Sequence, residues 1–205
     1  MIPGGAPAAD ATVVRYGLRR FLWSLLFVPV TLVAGGLGVV QGVYGHDRDG
    51  LFAVWGPVVF ILMALVFAVP VVSTWRARRW VMAFDATGFW WIRGKEIALI
   101  PWDALAGVGI YWTSQLFTVE LCPRGEIDRD DPLLWQFVRD TEPLRPGLPR
   151  LRYRIRLPNG YKPYEQALRR WAPELWFGVV AQPPAYAGLP DRAGHRQRTA
   201  RRGEG

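Results

Sequence analysis

Two uninterrupted apolar runs dominate the first third of the chain. Residues 21–45 include FLWSLLFVPVTLVAGGLGVV and carry no charge, and residues 51–75, LFAVWGPVVFILMALVFAVPVVSTW, are likewise uncharged. Each run supplies the ~20 helical residues that cross ~30 Å of hydrocarbon. The pattern therefore predicts a two-helix transmembrane hairpin closed by loop 46–50. The apolar region of a secretory signal is usually about 7–15 residues, shorter than either run. Pro29, Pro57 and Pro70 are tolerable in spans because neighbouring helices satisfy the freed carbonyls. Ala34, Gly38 and Gly42 form a small-residue ladder. It suits close packing against the second span, or against another copy, so a homo-oligomer is compatible with it.

From Trp80 the pattern shortens to strand-like runs separated by turn residues. RWVMAF leads to Asp85-Ala86-Thr87-Gly88, FWWIR to Gly94-Lys95, and EIALI to Pro101; VGIYW and LFTVEL follow. Their β-branched and aromatic content and their spacing predict an antiparallel meander. Residues 122–149 hold five prolines and an acidic cluster and read as a long loop with a short helix around 133–138. In RLRYRIRL, Leu151, Tyr153, Ile155 and Leu157 alternate with Arg150, Arg152, Arg154 and Arg156, the mark of a half-buried strand. After Asn159-Gly160, Pro163 suits a helix's first position. Tyr164, Ala167, Leu168 and Trp171 then form an apolar stripe, which Pro173 ends. A helix of ~10 residues is marginal alone, so the stripe must dock on the strands. Residues 181–205 read as a disordered basic tail.

Charge orients the hairpin. Arg15, Arg19 and Arg20 precede the first run and Arg76, Arg78 and Arg79 follow the second, whereas Arg48 lies between Asp47 and Asp49. The positive-inside rule then puts both termini in the cytoplasm of a multi-pass cell-membrane (plasma-membrane) protein. Trp23, Trp75, Arg76, Arg78, Arg79 and Trp80 become membrane-interface anchors. The segments are thus 1–20 (cytoplasmic), 21–45 and 51–75 (spans), 46–50 (external loop), 76–180 (cytoplasmic domain) and 181–205 (tail).

The chain has 25 Lys+Arg against 17 Asp+Glu, a net +8. Most of the excess lies outside 80–180, which holds 13 basic and 12 acidic residues, a net +1. A nucleic-acid-binding fold carries its excess on the folded body, so no nucleic-acid partner is expected. Neither run contains an ionisable residue, which removes the usual mark of an ion path.

Asp85-x-x-Gly88-Phe89, Ile100-Pro101-Trp102-Asp103-x-Leu105-x-x-Val108 and the closing amphipathic helix resemble bacterial membrane-anchored proteins with a pleckstrin-homology-like (PH-like) domain. The likeness covers about residues 15–180. It implies an α+β membrane protein: the transmembrane hairpin, then a PH-like antiparallel β-sandwich or barrel capped by a C-terminal α-helix. The long 122–149 segment departs from that pattern, and the likeness supplies no substrate.

Chemistry is sparse. Cys122, the single cysteine, lacks the neighbouring cation or histidine that activates a thiol: His46 lies in the external loop and His195 in the tail. Glu126, Asp128, Asp130 and Asp131 supply oxygen ligands but lack the spacing of a calcium loop. No catalytic residue, metal site or cofactor is indicated, and the chain is not read as an enzyme. The arginine face Arg150, Arg152, Arg154 and Arg156 is the binding candidate. It suits anionic lipid headgroups; the plainer alternatives are a solvated face or pairing with the 126–131 loop. The expected function is a membrane-anchored, non-enzymatic scaffold or regulator that binds a protein or lipid at the inner face of the membrane. Its expected partners are membrane lipids or another membrane protein. The alternative is an accessory subunit of a transport or envelope complex with the hairpin as its working part.

Overall fold

The computed structural model describes residues 5–16, 79–113, 116–158, 160–182 and 190–203, with isolated positions 22, 33, 36, 40, 72 and 75. The chain divides into two compact units, Tyr16–Arg79 and Met1–Arg15 with Trp80–Gly205.

In the first of these, Leu22, Val33, Gly36, Val40, Val72 and Trp75 are helical, and the five larger side chains among them are exposed. The transmembrane fold class is corrected here. Among the described residues no helix is long and apolar enough to cross a membrane. The complete helices there have 10 and 12 residues and are rich in charge, against the ~20 apolar residues a span requires. Described structure is dominated instead by two β-sheets. The transmembrane hairpin, the membrane descriptors and the multi-pass cell-membrane localisation therefore do not stand. Runs 21–45 and 51–75, loop 46–50 with His46, the small-residue ladder, Trp23, Arg76 and Arg78 lie outside the described residues, the isolated positions apart.

The other unit begins with a four-stranded antiparallel sheet in the order β1 (Thr12–Arg15), β2 (Trp80–Phe84), β3 (Gly88–Arg93), β4 (Glu96–Pro101). Asp85 builds its first turn. One carboxylate oxygen accepts the amides of Thr87 and Gly88 (2.8 and 3.1 Å), and the other accepts Ala8 N–H and the Trp90 indole (3.0 and 2.8 Å). Burial raises the pKa of this carboxyl, but the four donors outweigh that and hold it below its usual value. Trp102 donates its indole N–H to the Asp85 carbonyl at 2.7 Å, which joins the two motifs of the family resemblance in one corner. Gly88 is required there, because a Cβ would collide with the Ile100 carbonyl oxygen.

A 3-10 turn, Trp102–Ala104, leads into a five-stranded sheet in the order β7-β8-β6-β5-β9. These strands are β5 (Leu105–Thr113), β6 (Leu116–Pro123), β7 (Val138–Asp140), β8 (Leu151–Leu157) and β9 (Trp176–Ala181). All pairs are antiparallel except β5 with β9. Helix α1 (Lys162–Trp171) buries Tyr164, Ala167 and Leu168, the stripe its spacing predicts. Tyr164 meets Phe84 edge-on, and the Trp171 indole donates to Thr12 Oγ1 at 2.9 Å. The core contains Met82, Phe84, Phe89 and Trp91 of the first sheet and Val108, Ile110, Val119, Leu121 and Ile155 of the second. Residues 192–203, read from sequence as disordered, form helix α2 (Arg192–Gly203).

Candidate functional site

The register of the second sheet sorts its side chains into two sets. Val108–Leu121–Tyr153 and Ile110–Val119–Ile155 lie across from one another on the core face. The opposite face carries Gly109–Glu120–Arg154 and Tyr111–Thr118–Arg156, with Cys122 and Arg152 one pair further along. A solvated arginine strip is the sequence expectation for this face, and the structure covers its middle. Arg152, Arg154 and Glu120 are 0%, 3% and 0% exposed. Glu120 receives Arg152 Nε at 3.1 Å, Arg154 Nε at 2.7 Å and the Thr118 hydroxyl at 2.7 Å.

The cover is the 141–149 segment. Arg152 donates to the carbonyls of Thr141 and Glu142 and to Thr141 Oγ1, Tyr111 donates to Leu144 O, and Arg145 donates to Phe177 O. A Cβ at Gly107 would touch Leu148 and Phe177, and one at Gly109 would overlap the Phe177 ring. The glycines thus form a flat shelf on which the aromatic ring lies. Arg139 joins the cluster through Gln136 O and Val138 O, both at 2.8 Å, while its Nε has no hydrogen-bond partner among the described residues. Burial and the adjacent Arg154, partly offset by Glu120, pull its pKa down to about 10. Only Arg150 and Arg156 of the four remain exposed, and Arg150 pairs loosely with Asp140 and Glu142. The four arginines do not form one strip: Arg152 and Arg154 share Glu120, and Arg150 turns to Asp140 and Glu142. The buried set is structural: it joins β6, β8 and the covering loop.

Cys122 lies on the same covered face. Burial first, and then the Glu120 carboxylate, push its thiol up to about 12, against a smaller opposing effect of Arg152. A thiol held protonated at neutral pH is a poor nucleophile.

The acidic segment has a different partner, one that sequence reasoning missed. Asp130, its side chain 3% exposed, receives His195 Nδ1 at 3.1 Å and Arg198 Nε at 3.1 and 3.2 Å, with Arg202 at 3.7 Å. Burial raises the Asp130 pKa, but the bonds from His195 and Arg198 outweigh it, and the net shift is downward. The His195 ring stacks on Trp135, with centroids 4.0 Å apart and planes 2° from parallel. Asp191 caps the start of α2 through Gly194 N–H at 2.9 Å. This helix is therefore held along one side. Arg192, Arg196, Arg201 and Arg202 are exposed. Charge complementarity between residues 126–131 and 192–202 was the available signal, masked by the low complexity of the tail.

Of the proposed interface anchors, Trp75 is 48% exposed and Arg79 is exposed. Trp80 opens β2 and packs edge-on against Trp91 at 5.9 Å. Glu126 and Asp128 are exposed, and Asp131 caps the amides of Leu133 and Leu134, both at 2.8 Å. No group of three metal-ligating side chains occurs among the described residues. No protein-family model, curated protein or solved structure matches this chain.

Proposed function

We propose that this chain is a non-enzymatic binding module that engages anionic lipid headgroups through its arginine-rich C-terminal helix. The observation that carries this reading is the one-sided mounting of α2. Asp130, Trp135 and Asp191 hold one flank through His195 and Arg198, Arg202 reaches Asp128 and Asp130 from that same flank, and Arg192, Arg196 and Arg201 face solvent. Guanidinium groups held on a folded body lose less freedom on binding than the same groups on a coil. Each basic residue close to an anionic surface contributes about 1 kcal/mol. Two sheets with a docked helix, the arrangement behind the PH-like resemblance, favour a binding role. The buried, protonated Cys122 thiol argues against thiol chemistry. The alternative of a working membrane hairpin falls with the hairpin itself.

The test is co-sedimentation of the full-length protein with phosphatidylcholine vesicles, with and without phosphatidylglycerol. The ratio of the two affinities separates charge from apolar attraction. Arg192→Gln/Arg196→Gln/Arg201→Gln is expected to lower that ratio on the order of 100-fold, the sum of three such contributions. Raising salt is expected to lower it too. An unchanged ratio in the triple variant overturns the proposal.

A further inference from the structure

A cleft of about 290 Å³ opens beside the core, between strand β4, the start of the 124–134 segment and strand β8. Ile100 and Leu134 supply apolar wall, and Arg124, Glu126, Asp131 and Tyr153 supply its polar groups. That volume sits at the lower end for small-ligand sites, which pair apolar walls with a few placed polar groups.

Two of those polar groups have unused bonding capacity. Tyr153 is 9% exposed and projects from the core face of β8 beside Leu121 and Val138, yet among the described residues its hydroxyl has no hydrogen-bond partner. This oxygen is not among the fully buried side-chain atoms that lack a partner, so it opens into the cleft that Tyr153 lines and is free to take a ligand's hydrogen bond. Asp131 commits Oδ1 to the amides of Leu133 and Leu134, and among the described residues its Oδ2 accepts nothing. Arg124 commits Nε to Leu105 O at 2.7 Å. The polar lining has one cation against two carboxylates, and Asp128 adds a third negative charge felt at Tyr153. Burial first, then Asp131 and Asp128, push the Tyr153 hydroxyl up to about 12, so it remains a neutral phenol facing a negative field.

We infer that this cleft binds a small primary amine with an apolar body, its ammonium group bridging Asp131 and the Tyr153 hydroxyl. An ammonium has three donors and no acceptor, which matches a free carboxylate oxygen and a phenol oxygen. Its charge offsets the excess of carboxylates, and the apolar body lies against Ile100 and Leu134. A carboxylate ligand of the same shape meets the opposite field. The site is independent of the exposed face of α2.

Tryptamine and indole-3-propionate, which share a ring and differ in charge, are the probes, added to the full-length protein at pH 7 and followed by calorimetry and thermal melting. Tryptamine is expected to bind at least tenfold more tightly than indole-3-propionate and to raise the melting temperature. Tyr153→Phe removes only the unpartnered hydroxyl. It is expected to melt at or above the wild-type temperature without ligand, and to bind tryptamine about tenfold more weakly. A Tyr153→Phe protein that melts lower and binds tryptamine as wild type does would make the hydroxyl structural and overturn the inference. Equal binding of the two probes, or binding of neither, overturns it as well.

Discussion

Cys122 and Arg139 share a covered face but respond to pH in opposite directions. The thiol is held protonated to about 12 against an ordinary value of 9.0, so above pH 9 the folded state binds more protons than the unfolded state. Stability then falls as pH rises. Arg139, drawn down to about 10 from 12.5, acts in the opposite sense, but only above pH 10. Tyr153, raised to about 12 from 10.0, also contributes only above pH 10. Between pH 9 and 10 the cysteine therefore stands apart among these groups, with a limiting slope of about 1.4 kcal/mol per pH unit. Urea unfolding across that window is expected to show this loss in the wild type and a shallower dependence in Cys122→Ala. Parallel slopes would refute it. At this scale the Asp85–Gly88 turn was legible in the sequence, because its chemistry is local, whereas the bond it receives from Trp102, 17 residues on, was not. Nor was the burial of Arg152 and Arg154. A perfect alternation with arginine reads as a solvent face, and its counter-ion, Glu120, is 32 residues from Arg152 and 34 from Arg154.

Among the elements, β9 depends most on a single contact. It pairs parallel to β5 with an irregularity between Val108 and Ile110, and its Gly178 has φ +102°. What seats it is Phe177, lying on the Gly107–Gly109 shelf, edge-on to Tyr111 at 5.9 Å and under the Arg145 guanidinium. Gly109→Ala puts a methyl group into that ring and is expected to cost roughly 1–3 kcal/mol through overpacking. In a Phe177→Ala background the clash partner is gone, so the same substitution should cost much less. This non-additivity is read from a double-mutant cycle by chemical denaturation. Equal costs in both backgrounds would mean that the ring does not rest there. Strands β2 to β6, β8 and helix α1 were legible because each carries its own period and its own turn. Four-residue β1, three-residue β7 and the glycine-broken β9 offer too few positions for a period. They are specified by partners across the sheet.

At the scale of the whole molecule, one unit is inserted into a hairpin of the other. Strands β1 and β2 pair antiparallel with Arg15 opposite Val81, and Tyr16–Arg79 forms the connection between them. Residues before that insertion matter after it: Ala8 N–H bonds Asp85, and Thr12 receives the Trp171 indole. A domain boundary drawn near residue 76 omits those partners, and no local pattern in ATVVR reveals them. The covering role of the 141–149 segment was hidden for the same reason, since proline-rich sequence reads as open loop. Replacing residues 16–79 by a short Asn-Gly turn, the residue pair that tight hairpins favour, is therefore expected to leave a cooperatively folding protein. Shortening the loop roughly 32-fold adds at most about 3 kcal/mol from closure entropy, if the removed segment is treated as flexible chain. A chain starting at Trp80 loses β1 and leaves Asp85 without its Ala8 donor and Trp171 without its acceptor, so it is expected to melt well below the joined protein. Thermal melts of the two chains, followed by near-ultraviolet circular dichroism of the buried tryptophans, decide the matter. If the joined chain shows no cooperative transition, Tyr16–Arg79 is needed for the sheets to form, and the division into separately folding units is wrong.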